Sequence, residues 1–173
     1  MFFSVFGGAW FLLATYAFGR LNKLVIFVIV AFVALFVITA RRLQRRGKQA
    51  SINAFPAIER QRNNRVFGIV NAVTWMLVAV IFQIMPRLGH PDLAFPTVVL
   101  LVGLHFFVLP PLYRHRANLL VGAVMVVWAM LCPLFFTGDR MIGFVAAGAG
   151  VILWAGAAWA LRTAGQLLRS AGL

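Results

Sequence analysis

Six apolar stretches, at about 1 to 18, 24 to 40, 66 to 85, 95 to 113, 119 to 136 and 142 to 161, occupy most of the 173 residues and confine the charge to the gaps between them. Each is long enough, or nearly so, to cross hydrocarbon as a helix. Lipid offers no partner for a backbone amide, so a chain of this pattern is expected to satisfy its amides within each segment. The predicted fold is all-α: one domain, a polytopic transmembrane bundle of six helices. A soluble chain that is 63% hydrophobic would have far too little polar surface.

A net charge of +13 could signal nucleic acid in a soluble protein. Here the cations cluster at helix ends and in one loop, without any reading module, so no nucleic-acid partner is expected. Anionic lipid headgroups are the expected contact, or a protein partner, through Arg41, Arg42, Arg45, Arg46 and Lys48. Loop 41 to 65 holds these five and Arg60, Arg62 and Arg65, half of the sixteen Lys and Arg. With six spans it shares a side with both termini and with Arg114, Arg116, Arg162 and Arg169. Twelve cations then face four, Arg20, Lys23, Arg87 and Arg140, which predicts that both termini are cytoplasmic. The opening MFFSVFGGAW lacks a basic leader and a clear cleavage site, and reads as a retained first span. The lone Cys132 excludes an intrachain disulfide and reads as a small buried hydrophobe.

The loops are short except for 41 to 65, so consecutive helices are expected to be antiparallel neighbours. The second helix is predicted to leave the bilayer and stop at Gly47. Pro56 suits the first turn of a helix that leads through AIERQRNNR into the third span. Small residues mark where membrane helices approach one another. The sixth span carries Gly143, Ala147, Gly150, Trp154 and Ala157 at three- and four-residue steps, a packing face that would also serve a homo-oligomer. Inward faces are likewise predicted for Ser4, Gly8, Phe11 and Thr15, and for Gly68, Asn71, Trp75 and Phe82 with Thr74 beside them. Tyr113 and Trp159 fit an interfacial belt, whereas Trp75 and Trp128, at mid-span, are expected inside.

His105 stands near the middle of the fourth span, in LLVGLHFFVLPPLY. An ionisable group at that depth normally faces the bundle interior. Three roles are open to it: a neutral imidazole hydrogen-bonded across helices to Asn71 or Thr74, a group on a substrate or proton path, or a ligand to a metal or haem. Gly103 would allow another helix to come close. Pro110 and Pro111 remove backbone donors and should bend or unwind the end of the span.

Several classes are pruned by what the spans lack. Glu59, Asp92 and Asp139 all lie in loops, which disfavours a carboxylate proton relay or a di-metal site. His90 and His115 fall on opposite sides of the membrane, and no stripe offers three or four metal ligands. Neither a Ser–His–Asp arrangement nor a phosphate-cradling glycine loop is present. No cofactor, metal or catalytic residue is expected, and enzyme activity is disfavoured. GGAWFLLATY in the first span and GLHFFVLPPLY in the fourth share a small-residue and aromatic pattern. An inverted repeat built on that match would relate Trp10 to His105.

The runs VVLLVGLHFFVLPPLYRHRANLLVGAVMVVWAML and AGAGVILWAGAAWAL resemble small six-helix bacterial membrane proteins with a GLHF-type motif in the fourth span. The resemblance covers about residues 66 to 161 and groups Gly103, His105, Phe106 and Pro110. It implies a bacterial cytoplasmic membrane location and carries no activity. The expected function is a non-enzymatic membrane protein whose polar centre, His105, Asn71, Thr74, Trp75 and Gly103, binds a small or lipophilic ligand or serves packing. The alternatives are a small-solute transporter or channel with His105 on its path, and a membrane enzyme or haem protein using His105.

Overall fold

A computed structural model describes residues 2–49, 57–108 and 117–170 of the chain. Among them are six α-helices, one 3-10 turn and no strand. The helices are α1 (Phe2–Ala17), α2 (Lys23–Gln49), α3 (Ala57–Arg87), α4 (Ala94–Val108), α5 (Ala117–Phe135) and α6 (Gly138–Ser170). The 3-10 turn, Pro91–Leu93, precedes α4.

Five of these helical segments are long and apolar enough to cross a membrane; α1 is equally apolar but shorter. At about 1.5 Å per residue its 16 residues reach about 24 Å, less than the usual hydrocarbon thickness. The first apolar stretch of the sequence is thus a helix of less than full span. α2 continues through Gly47 to Gln49, because a glycine in a helix costs only about 1 kcal/mol and does not end it. Pro56 lies outside the described residues, and α3 begins directly after it.

The helix ends follow local chemistry. Asn22 caps α2 by accepting the Val25 amide on its side-chain oxygen at 2.9 Å. α1 and α3 both close with a glycine of positive φ, Gly19 (63°) and Gly89 (80°). In each, the glycine amide reaches back three residues and the next amide five: Gly19 to Tyr16 and Arg20 to Thr15, Gly89 to Pro86 and His90 to Met85. Only a residue without a Cβ adopts that left-handed link at no cost, and it satisfies carbonyls that the helix leaves open.

α6 is the hub. It packs along α1 and α5 and touches α2 and α4, while α4 packs closely on α5 and α3 leans mainly on α4. Sequence neighbours are therefore not always spatial neighbours: the principal partners of α2 are α1 and α6, not α3. The core between α4, α5 and α6 contains Val99, Phe106, Val121, Met125, Met141, Val145, Ala149 and Leu153. Cys132 belongs to it as a buried free thiol. The outer helices present large apolar side chains outward, among them Leu24, Phe27, Leu35, Ile69 and Met76. Such a surface suits lipid and not water.

Glycines set the two closest crossings. A Cβ on Gly103 would meet the Val126 amide and the Gly122 carbonyl at 3.0 and 3.1 Å, and one on Gly122 would meet the Gly103 carbonyl at 2.8 Å. α4 and α5 therefore touch backbone to backbone. Between α1 and α6, Gly150 receives the Phe11 ring at 2.9 Å and Gly143 the Phe18 ring at 2.6 Å, measured from the position of an added Cβ. Trp154 fills the space over Gly7 and gives its indole N–H to the Ser4 carbonyl at 3.1 Å. Gly143 and Gly150 are thus covered within the chain by the Phe18 and Phe11 rings. Gly8, expected on the same face of α1 as Phe11, instead meets Val33 of α2.

Candidate functional site

α1 follows α6 through its glycines, and α3 follows α4. α1 and α3 consequently make no extended contact, and a wedge stays open between them. This wedge is a cavity of about 240 Å³. For scale, an apolar cavity of about 150 Å³ accommodates benzene. Phe6, Trp10 and Leu13 of α1 form one wall, and Asn71, Thr74 and Val78 of α3 another. Val98, Val102 and His105 of α4 line the floor, with Leu153 of α6 behind. At the mouth the Phe6 and Trp75 rings meet at 5.7 Å. Trp75 is 50% exposed there, contrary to its expected interior place, because α3 is a peripheral helix that buries little of its circumference.

His105 is buried, at 6% exposure. Its Nδ1 lies 2.8 Å from Thr74 Oγ1, and the same hydroxyl lies 2.8 Å from the Val70 carbonyl. A threonine hydroxyl has one hydrogen. If it donates to the carbonyl, which can only accept, then it accepts from Nδ1–H, and both contacts are satisfied. The neutral imidazole is thereby held in the Nδ1–H tautomer, leaving Nε2 as a bare lone pair. Nε2 is buried and has no hydrogen-bond partner. The ring is edge-on to Phe67 and Phe106, with centroids 6.4 and 5.9 Å away. A buried acceptor without a donor is costly, and such a group calls for an explanation.

The residues predicted for this centre divide. His105, Asn71, Thr74 and Trp75 line one cavity; Gly103 does not, because two residues along a helix turn about 200° and place it against α5. Gly68 faces open space; Asn71, Trp75 and Phe82 of the predicted stripe line the cavity, but Trp75 and Phe82 stay exposed. Trp10 and His105 do line the same cavity. Trp128 is at the interior, stacked over Gly148, with its indole nitrogen buried and unpartnered. Phe6, Leu13, Val98, Val102 and Leu153 were not anticipated, since apolar wall residues carry no signal in a sequence that is apolar throughout. Asn63, in the AIERQRNNR run that leads into the third span, is buried.

Pro110, Pro111, Tyr113, Arg114, His115 and Arg116 lie outside the described residues, as do the side chains of Arg46, Lys48 and Arg60. Arg41, Arg42 and Arg45 are exposed at the end of α2. Among the described residues no three of His, Cys, Asp and Glu gather as a metal site.

Taken together, the described residues form an all-helical structure, with five helices suited to a membrane and one apolar cavity walled by a histidine. No protein family, curated protein or solved structure matches the chain.

Proposed function

We propose that this is a multi-pass protein of a bacterial cytoplasmic membrane, with both termini inside, that binds a small lipophilic ligand in the wedge between α1, α3 and α4. One observation carries the reading: the lone pair of His105 Nε2, buried and unpartnered on a histidine that helps wall an apolar cavity. A ligand with an apolar body and one hydroxyl or amide N–H satisfies both features, because its body replaces empty contact and its donor meets Nε2. The wedge opens between two outer helices, the direction from which a lipid-dissolved molecule arrives.

The test is native mass spectrometry of protein extracted gently from membranes. Wild type should carry one small adduct that Val102→Trp, which fills the wedge, abolishes, and that Arg41→Gln, outside it, retains. Wild type without an adduct, or an adduct indifferent to Val102→Trp, would overturn the reading.

A further inference from the structure

A second cavity, of about 360 Å³, lies at the end of the bundle where α1 begins and α2 and α6 end. Phe36, Ala40, Leu43 and Gln44 of α2 face Ala157, Leu161, Ala164 and Leu168 of α6 across it, with Phe3 and Ser4 at its base. The small side chains Ala40, Ala157, Ala160 and Ala164 leave the space between the two helices unfilled, and a groove results.

Helix geometry places this groove at a membrane border. From Lys23 to Arg41, α2 rises through 18 residues, about 27 Å; from Arg140 to Arg162, α6 rises through 22, about 33 Å. Both match about 30 Å of hydrocarbon with a cation at either edge. Phe36 and Ala157 then sit below the border, and Leu43, Gln44 and Leu168 beyond it. An apolar groove crossing into the headgroup layer is unsuited to water and too high for a chain from the bulk bilayer alone.

Among the described side chains, the charge at this end is of one sign. Arg41 and Arg45 follow directly on Ala40 and Gln44, and Arg162 and Arg169 on Leu161 and Leu168, each about 100° round its helix from the groove. All four are exposed. Asp92 and Asp139 are at the head of α4 and of α6; Asp139 is 23 residues, about 35 Å, from Arg162. Among the described side chains no carboxylate is placed to neutralise them.

We infer that the α2–α6 groove binds one anionic phospholipid, an acyl chain lying along the alanines and the phosphate held between the arginines of the two helices. The site rests on the membrane-spanning part of the proposed function and is independent of the His105 wedge. Long arginine side chains suit this geometry, since their stems lie along apolar surface while the guanidinium reaches the headgroup.

The test uses the full chain in neutral detergent, titrated with phosphatidylglycerol or phosphatidylcholine and read by native mass spectrometry. Wild type should retain one phosphatidylglycerol in preference to phosphatidylcholine. Arg41→Gln and Arg169→Gln should each reduce that preference about five-fold, since a cation near an anionic surface contributes on that scale. Ala164→Phe should abolish retention of both lipids while circular dichroism stays helical. Equal retention of the two lipids, retention unaffected by Ala164→Phe, or a dimer that Ala164→Phe dissolves would overturn the inference. The His105 reading is scored separately by Val102→Trp, which should leave phosphatidylglycerol retention unchanged. The membrane-spanning reading is scored by resistance of the wild-type chain to alkaline extraction from membranes.

Discussion

Thr74→Val removes the acceptor of His105 Nδ1 with almost no change of shape, so it measures what the cross-helix hydrogen bond is worth. The Thr74 hydroxyl makes two contacts, and they matter unequally. The Val70 carbonyl it contacts at 2.8 Å also lies in register for the helix ladder of α3, so losing the hydroxyl there leaves an acceptor already served. Nδ1–H of His105 has no such reserve, because the ring is buried and Nε2 is unpartnered already. An unsatisfied buried donor costs about 1–3 kcal/mol in water-soluble proteins. Cross-helix hydrogen bonds in membranes couple by about 0.6 kcal/mol on average and about 1.7 kcal/mol at most, because the unfolded chain in lipid also finds partners. We therefore expect Thr74→Val to destabilise by about 1 kcal/mol, a fall in melting temperature of about 2–4 °C for a chain of this size. His105→Phe removes donor and orphan acceptor together, and in its background Thr74→Val should cost almost nothing. Thermal unfolding in detergent of the wild type, both single variants and the double variant gives the coupling energy directly. Additivity within about 0.3 kcal/mol would refute the hydrogen bond and, with it, the tautomer deduced for His105.

Gly103→Ala and Gly68→Ala should have opposite signs. The first forces a Cβ against the Gly122 carbonyl and should cost about 1–3 kcal/mol; the second meets open space and should stabilise α3 by about 0.5–1 kcal/mol, both read as melting temperatures. Cys132, 2% exposed in the core, should resist a membrane-permeant maleimide in the folded protein and react on unfolding; rapid labelling of the native protein would contradict the packing of α5. Reporter fusions at each end should show both termini on the cytoplasmic side, and a periplasmic signal from either would reverse the orientation drawn from the arginines.

Much of this architecture is local and therefore visible in the chain. The spacing of small and aromatic residues marks α6 as a packing helix, and in the structure it is the hub. His105 and Thr74 were plausible partners because each is a polar group at mid-span, and lipid leaves such groups few alternatives. The partner of each small residue was less visible. Gly143 and Gly150 read equally well as an oligomer face or as an intrachain seam, and in the structure they receive the Phe18 and Phe11 rings of α1 and its C-terminal turn. Gly103 and His105 read as one unit because only Leu104 separates them, yet the helix turns them to different neighbours. Trp75 reads as buried because it is mid-span, but α3 packs mainly on one helix and leaves the ring at a cavity mouth.

The sequence alone determined that the chain is helical, which segments suit lipid, and where the unneutralised arginines gather, because hydropathy and charge act residue by residue. Only the tertiary structure decided that α1 joins α6 while α3 joins α4, since that choice depends on which glycine receives which ring. The wedge beside His105 and the groove between α2 and α6 are the spaces those pairings leave, and no local preference encodes a space between helices that are distant in the chain.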